Sequence, residues 1–476
     1  MPNRSTRRVF LRDAAFAAAL VPSSLSGFGG VPSLLTNARP GSLMADDKPV
    51  RLGFIGTGFR GRDHIQQALY RPDVQIPAIC DTSDEAIQQT LALFDKLGKP
   101  RPVVYGNGGG ARRDEAFKEL LKRDDIDGVV IATPWEWHTP MAVETMKAGK
   151  YAGVEVSATV TLNESWDLVN TFEKTGSPCM ILENVCYRRD VLMVLNMIRQ
   201  GLFGEMTYAH CGYQHDLRAV KFNDGKHYAG GGVEFGAKGY AEARWRTQHS
   251  VDRNGDIYPT HGLGPVAHWL NINRGNRFTA LSSTATKSRG LHKYVVDNGG
   301  ANHPNANVNF KLGDVVTTML QCANGETIVI IHDTNSPRPY SLGFRAQGTE
   351  GIWMDDNDSV FFQNRTAKGD KPKAHSWEPF AAYEAEFDHP LWKKHAANAD
   401  KAGHGGIDFF VMRAFIEAVK YKTQPPIDVY DAAVWSAISP LSEKSIAKGG
   451  QLVEVPDFTR GKWKTNAPIF ALNDAF

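Results

Sequence analysis

The chain has 476 residues, enough for two domains, with 42% hydrophobic and 22% charged residues, the balance of a folded globular protein. A formal net charge of +2 gives no global field for nucleic acid or for cationic partners. The five cysteines, Cys80, Cys179, Cys186, Cys211 and Cys322, are never spaced C-x-x-C, which argues against a disulfide scaffold or structural zinc, and no His/Asp/Glu grouping has metal-ligand spacing.

Residues 1–47 read as a targeting segment. Arg7-Arg8-Val9-Phe10-Leu11-Arg12 precedes a charge-free stretch from Ala14 to Ala38, and together they resemble a bacterial twin-arginine export signal. The alternative is a membrane anchor. Pro22, Ser23, Ser24, Gly27, Gly29, Gly30 and Pro32 interrupt the run well short of the roughly 20 apolar residues a span needs. The expectation is export to the periplasm or beyond, with no other run able to span a membrane.

The folded part begins near Lys48. Val50–Ile55 reads as a buried strand, Gly56-Thr57-Gly58-Phe59-Arg60-Gly61 follows at once, and a helical pattern runs over 62–70. This is G-x-G-x-x-G in its strand–turn–helix setting, where backbone N–H groups at a helix start receive a pyrophosphate. The strand Val74–Cys80 ends in Asp81, about 25 residues past the first glycine, where a carboxylate accepts from the ribose hydroxyls of NAD and repels the extra phosphate of NADP. Asp81 is also a candidate helix cap, with Thr82 and Ser83 as rivals.

Helices follow over 84–97, 114–122, 140–148 and 164–174, alternating with strands at 102–105, 128–132, 151–156 and 179–182. That alternation predicts an α/β, doubly wound parallel sheet in a Rossmann domain over 48–184. Its ligands belong at the strand ends: Gly56–Gly61, Asp81, Thr133–His138, Glu155–Val156 and Glu183–Asn184. A helix over 189–200 then leads to a strand ending at Tyr213. The polar, Gly-rich stretch 215–256 is too long for an idle loop and reads as an excursion over the site. Strands dominate 278–362, with a hairpin turn at Asn324-Gly325. Segment 364–405 reads as a polar wrap, and helices return over 408–419 and 431–446. Residues 185–476 are thus expected to form an α+β domain on an open, mainly antiparallel sheet.

This order, with the Leu202-Phe203-Gly204-Glu205-Met206 turn, resembles the glucose–fructose oxidoreductase / inositol dehydrogenase superfamily. Closer motifs are Trp135-Glu136-Trp137-His138, Glu183-Asn184-Val185-Cys186-Tyr187-Arg188-Arg189-Asp190, Gly212-Tyr213-Gln214-His215-Asp216, Trp245-Arg246, Tyr258-Pro259-Thr260-His261-Gly262, Gly290-Leu291-His292-Lys293-Tyr294 and His404-Gly405-Gly406. Together they resemble glycoside hydrolase family 109, the NAD-dependent α-N-acetylgalactosaminidases. The superfamily's dehydrogenases usually carry Glu-Lys-Pro where this chain has Glu155-Val156-Ser157. The missing lysine favours the glycosidase family over the alternative, a sugar or polyol dehydrogenase.

The resemblance implies NAD as a redox-neutral cofactor and an N-acetylgalactosaminide-bearing glycan as substrate. The sugar's C3 is oxidised, the C2 proton leaves, the C1 group is eliminated, water adds, and C3 is reduced again. It also implies a homo-oligomer. The site residues it implies for the sugar are Tyr213, Arg246, Tyr258, Pro259, Thr260, His261 and Tyr340. Tyr213 is the candidate for the C2 base and His261 for the C3 hydroxyl proton or the water, roles that are exchangeable. Arg246 is expected to bind sugar oxygens and to lower a neighbouring tyrosine's pKa. For the cofactor the candidates are Gly56, Gly58, Phe59, Arg60, Gly61, Asp81, Trp135, Glu136, Trp137, His138, Glu155, Val156 and Asn184; packing between domains is an equal reading for the two tryptophans. His404 reads equally as a helix-entry residue or a ligand.

Overall fold

The computed structural model describes residues 48–107, 113–399 and 402–476; the twin-arginine segment lies outside them. Six strands, β1 (Val50–Ile55), β2 (Val74–Cys80), β3 (Val103–Tyr105), β4 (Gly128–Ile131), β5 (Tyr151–Val154) and β6 (Cys179–Ile181), form a sheet in the order β3-β2-β1-β4-β5-β6. All its pairs are parallel. The central strands are buried on both faces, as helices on either side of a parallel sheet require. The connecting helices are α1 (Phe59–Leu69), α2 (Asp84–Lys96), α3 (Phe117–Leu121), α4 (Trp135–Lys147) and α5 (Leu162–Thr175).

Helix α4 begins five residues before the expected start at Pro140. Pro134 occupies its N-cap and Pro140 lies inside it, giving up only the bond its missing N–H would have made in the second turn. Trp135–His138 are therefore the first turn of a helix, at the mouth of β4.

After α6 (Arg189–Arg199) the chain enters β7 (Met206–Gln214). The excursion holds α7 (Arg218–Lys221) and α8 (Arg246–Asp252), and α9 (Thr260–Trp269) follows it. Then come β8 (Phe278–Ala285), α10 (Gly290–Gly299), β9 (Val315–Cys322), β10 (Thr327–Asp333), β11 (Arg345–Gly348), β12 (Gly351–Met354), β13 (Ser359–Phe362) and β14 (Glu378–Pro379). The chain ends with α11 (Glu384–Phe387), α12 (Pro390–Ala399), α13 (Ile407–Tyr421), α14 (Val429–Ala447) and β15 (Val453–Glu454). The nine strands order as β14-β13-β12-β11-β7-β10-β9-β8-β15. Only β7 and β10 pair in parallel, so the sheet is mixed but mostly antiparallel.

Helices α9 and α10 interrupt what the sequence presents as strands or a shaped loop. Every residue of α9 except His261 is buried, so it shows no amphipathic period, and Gly262, Gly264 and Pro265 read as breakers. The segment 364–405 is more than a polar wrap: it carries two short helices and buries Phe380, Tyr383, Phe387, Leu391 and Trp392. The C-terminal helices also return to the first half. Phe415 of α13 lies against Gly153 of β5, and α14 contacts α5, β6 and β8. The two sheets therefore belong to one compact body. No helix among the described residues is long and apolar enough to cross a membrane.

Candidate active site

The carboxyl ends of the first sheet's strands open into a cavity of about 1410 Å³, whose opposite wall comes from β7, the excursion and α9. That exceeds the roughly 300–1,000 Å³ of an ordinary small-molecule site and leaves room for a dinucleotide and a sugar together.

At the nucleotide end, Gly56 has φ +86, and an added Cβ would meet the Ala132 carbonyl oxygen at 2.4 Å; only glycine fits. A Cβ on Gly58 would meet nothing, and Gly58 gives α1 no side-chain cap. No acidic residue occupies the first turn of α1, so its free N–H groups fit a pyrophosphate. Gly61 does not line the cavity; it sits against the Gly56 carbonyl, where a Cβ would clash at 2.0 Å. Asp81 lines the cavity and accepts from the Thr57 N–H at 2.6 Å, the Thr57 hydroxyl at 3.1 Å and the Ser83 N–H at 2.8 Å. Ser83, not Asp81, caps α2, accepting from the Ala86 N–H.

A charge network follows. Arg60 lines the cavity with its charge already paired: its Nε meets Glu155 at 2.6 Å and its Nη1 meets Asp408 at 2.9 Å. His64 Nε2 meets the same Glu155 oxygen at 2.5 Å. Asp408 also accepts from Asn184 Nδ2 at 2.7 Å and pairs with His404 Nδ1 at 2.7 Å. Burial pushes the pKa of Glu155 and Asp408 up, but Arg60 with His64 or His404 outweighs it, and both carboxyls stay well below the ordinary range. The His404 pKa is raised, mainly by its hydrogen bond to Asp408. Glu155, Val156, Asn184 and His404 all line the cavity.

Trp135, Trp137 and His138 line it too, whereas Glu136 does not and instead faces His249 Nε2 at 3.2 Å. Trp135 also packs against Trp245 and Tyr258, with centroids 5.1 and 5.6 Å away. Both ring nitrogens of His138 face carbonyls, Ser157 at 2.7 Å and Thr133 at 2.8 Å. Its polar atoms thus tie two strand ends together rather than reaching a ligand.

The far end is aromatic. Tyr213, Tyr258 and His261 cluster with centroids 4.5 to 5.2 Å apart, and Tyr340 stands at the mouth, half exposed. Gly262 makes this possible: a Cβ there would meet the Gly212 nitrogen at 2.6 Å, so glycine lets α9 press onto β7 and set His261 beside Tyr213. Pro259 and Thr260 do not line the cavity; Pro259 precedes the first turn of α9 and Thr260 is buried within it.

His261 Nδ1 lies 2.8 and 3.0 Å from the two oxygens of the wholly buried Glu183. A carboxylate on Nδ1 selects the tautomer that leaves Nε2 free as a base. The Tyr213 hydroxyl is 3.1 Å from His215 Nδ1. Burial raises the Tyr213 pKa above the ordinary value, with Arg246 opposing but not prevailing, and burial likewise raises that of Tyr258. Arg246 thus lowers the tyrosine pKa as expected, but not enough: Glu242 Oε2, 2.5 Å from Arg246 Nε, shares its charge, and desolvation leaves the net value raised. The His215 pKa is lowered by burial and by the charges of Arg246 and His261. Among the described residues, no group of three or more His, Cys, Asp or Glu is placed to hold a metal.

The glycosyl hydrolase 109 C-terminal domain model matches residues 187–465. The chain belongs to glycosyl hydrolase family 109. The model of the oxidoreductase family's NAD-binding Rossmann fold matches residues 50–182, so this family 109 chain carries an NAD-binding domain whose glycine turn, open α1 terminus and Asp81 fit the cofactor. A family 109 protein of Parabacteroides distasonis is 53% identical over 476 residues, covering 98% of this chain and 100% of the relative. An α-N-acetylgalactosaminidase of Tannerella forsythia is 55% identical over 430 residues, covering 90% of each. Among solved structures, levoglucosan dehydrogenase with NADH and L-sorbose aligns with TM-score 0.62 at 19% identity, over 86% of this chain and 100% of that one. That likeness shows the fold.

Sequence reasoning placed Glu183 at a ligand-binding strand end and His215 within a family motif without giving either a role, and left Asp408 and His64 out of the family 109 site. Glu183 ends a strand and was visible there, but its partner His261 lies 78 residues on. Asp408 meets Asn184 across 224 residues, and no local pattern announces such pairs. His215, two residues after Tyr213 on a strand's end, was the one local signal available.

Proposed function

We propose that this enzyme cleaves α-N-acetylgalactosaminides by oxidation at C3, elimination across C1–C2, addition of water and re-reduction. The observation that carries this reading is the commitment of the three glutamates around the aromatic cluster. Glu155 is held by Arg60 and His64, Glu183 by His261, and Glu242 by Arg246. A two-carboxylate glycosidase needs one such group free as acid and another as base or nucleophile. What faces the sugar instead is a set of phenol and imidazole groups that can pass protons.

When bound, NAD supplies the oxidation of C3 and its reversal. The chain's residues move the protons. The C3 hydroxyl gives its proton to the Tyr213 oxygen as the Tyr213 proton passes to His215 Nδ1. This route needs no free phenolate, which suits a tyrosine whose pKa is raised, and His215 takes the place of the lysine missing at Val156. His261, oriented by Glu183, removes the C2 proton; the C2–H electron pair forms the double bond to C1 as the C1–O bond breaks. The same histidine returns a proton to C2 when water adds. Arg246, held by Glu242, offers its guanidinium to the sugar's oxygens. The substrate assignment is supported by the Tannerella forsythia relative's name.

The test is incubation of the purified protein with p-nitrophenyl α-N-acetylgalactosaminide, following nitrophenol and NADH absorbance together. Nitrophenol release without net NADH supports the reading. Stoichiometric NADH without nitrophenol supports a sugar dehydrogenase instead.

A further inference from the structure

We propose that residues 223–244 form a strap that retains the dinucleotide in its cleft, with Tyr228 and Tyr240 as the two contacts that keep it shut. The strap is a closed unit built on Asn223, which is wholly buried. Asn223 exchanges backbone bonds with Glu234 at 3.1 and 2.9 Å. Its Nδ2 donates to the Tyr240 carbonyl at 2.9 Å, and its Oδ1 accepts from the Gly225 and Tyr240 N–H groups at 3.0 Å each. Both ends of the loop are thus fastened to one side chain, whatever the tip does. The tip turns through Ala229, Gly231 and Gly232, all at positive φ, beside Tyr228, which lines the cavity.

The strap lands on the Rossmann domain at two points. The Tyr228 ring stands 5.1 Å from that of Phe59 in the phosphate turn, and Arg62 covers Phe59 at 5.0 Å. The Tyr240 hydroxyl donates to Glu85 Oε1 at 2.9 Å, in the first turn of α2. All five residues line the cavity. The landing points flank the nucleotide's path from the glycine turn to Asp81, so a nucleotide leaving that path must pass under the strap.

Internal bonds outnumber the landing contacts, and both landing points are partly exposed: Phe59 is 46% and Tyr228 42% accessible at the first, and a half-buried Tyr240 meets an exposed Glu85 at the second. Opening therefore occurs at the landing points, with the loop moving as a unit. The strap also carries Glu242, the partner of Arg246, so the test reads cofactor release rather than turnover.

The experiment is a chase. Protein carrying labelled NAD is mixed with excess unlabelled NAD, and retained label is followed by rapid filtration. Tyr228→Ala and Tyr240→Phe should each speed release roughly three- to tenfold, the scale of losing one aromatic pair or one hydrogen bond. The double variant should approach the product. In a Glu85→Ala background, the Tyr240→Phe effect should shrink, because the contact with Glu85 is already gone and only that with Gln89 remains. Tyr240→Phe removes only a hydroxyl, so it is read alone if the double variant does not fold. Release within about twofold of the parent in the folded variants would overturn the proposal, as would an undiminished Tyr240→Phe effect without Glu85.

Discussion

At the nucleotide end of the cavity, Arg60, Glu155, His64, Asp408 and His404 meet at 2.5 to 2.9 Å, every charge answered by another. At the sugar end, Tyr213, Tyr258, His215 and His261 meet chiefly through ring contacts, one phenol–imidazole bond and one imidazole–carboxylate pair. The first arrangement fixes position, because moving any member strands a buried charge. In the proposed mechanism the second moves protons, because its members are phenols and imidazoles in contact with one another. One cavity thus separates holding from chemistry, and variants at the two ends should fail in different ways.

The largest effects are expected at the sugar end. Tyr213→Phe and His261→Ala should each lower kcat roughly 10²–10⁴-fold, the scale of a lost positioned acid or base, while thermal midpoint and retained NAD change little. Near-parent turnover in folded variants would place the proton carriers elsewhere.

The converse holds for Arg60→Leu. It leaves Glu155 and Asp408 buried with too few partners, and should cost about 3–5 kcal/mol of stability, read as a lower denaturant midpoint at an unchanged slope. A midpoint equal to the parent's would mean that the network does not hold the nucleotide end.

A smaller effect sharpens the comparison behind Tyr258. Asp256 is buried, accepts from the Tyr258 N–H at 3.3 Å, and has its Oδ2 without a partner. Burial raises its pKa from the ordinary 3.8 to about 7. The folded protein then keeps a proton that the unfolded chain releases, so stability falls as pH rises between these two values. Asp256→Asn has no such proton, and its stability relative to the parent should grow across that window by at most roughly 4 kcal/mol. A constant difference from pH 4 to 7 would contradict the sign.

Much of the nucleotide end was legible because it is local. The glycine turn, the strand before it and Asp81 lie within one βαβ unit, and their spacing carries the chemistry. His261 was legible as a residue but not as part of a helix, since α9 is buried nearly all round and bears no stripe. The dyad with Glu183 and the Asn184–Asp408 bond join segments far apart in the chain, and no periodicity encodes them. Glu136, Pro259 and Thr260 show the opposite error: they sit inside the right motifs, but Glu136 and Thr260 are turned away from the cavity by their helices and Pro259 only leads into α9.

The proton route at C2 separates this chemistry from its rivals most directly. A two-carboxylate glycosidase breaks C1–O without touching C2–H, and a dehydrogenase acting at C3 alone leaves C2 as it was. The measurement is hydrolysis of p-nitrophenyl α-N-acetylgalactosaminide in D₂O, with the released sugar read by proton NMR. If His261 removes and returns the C2 proton in exchange with solvent, the released N-acetylgalactosamine carries deuterium at C2. Sugar released with C2 fully protiated would contradict the account.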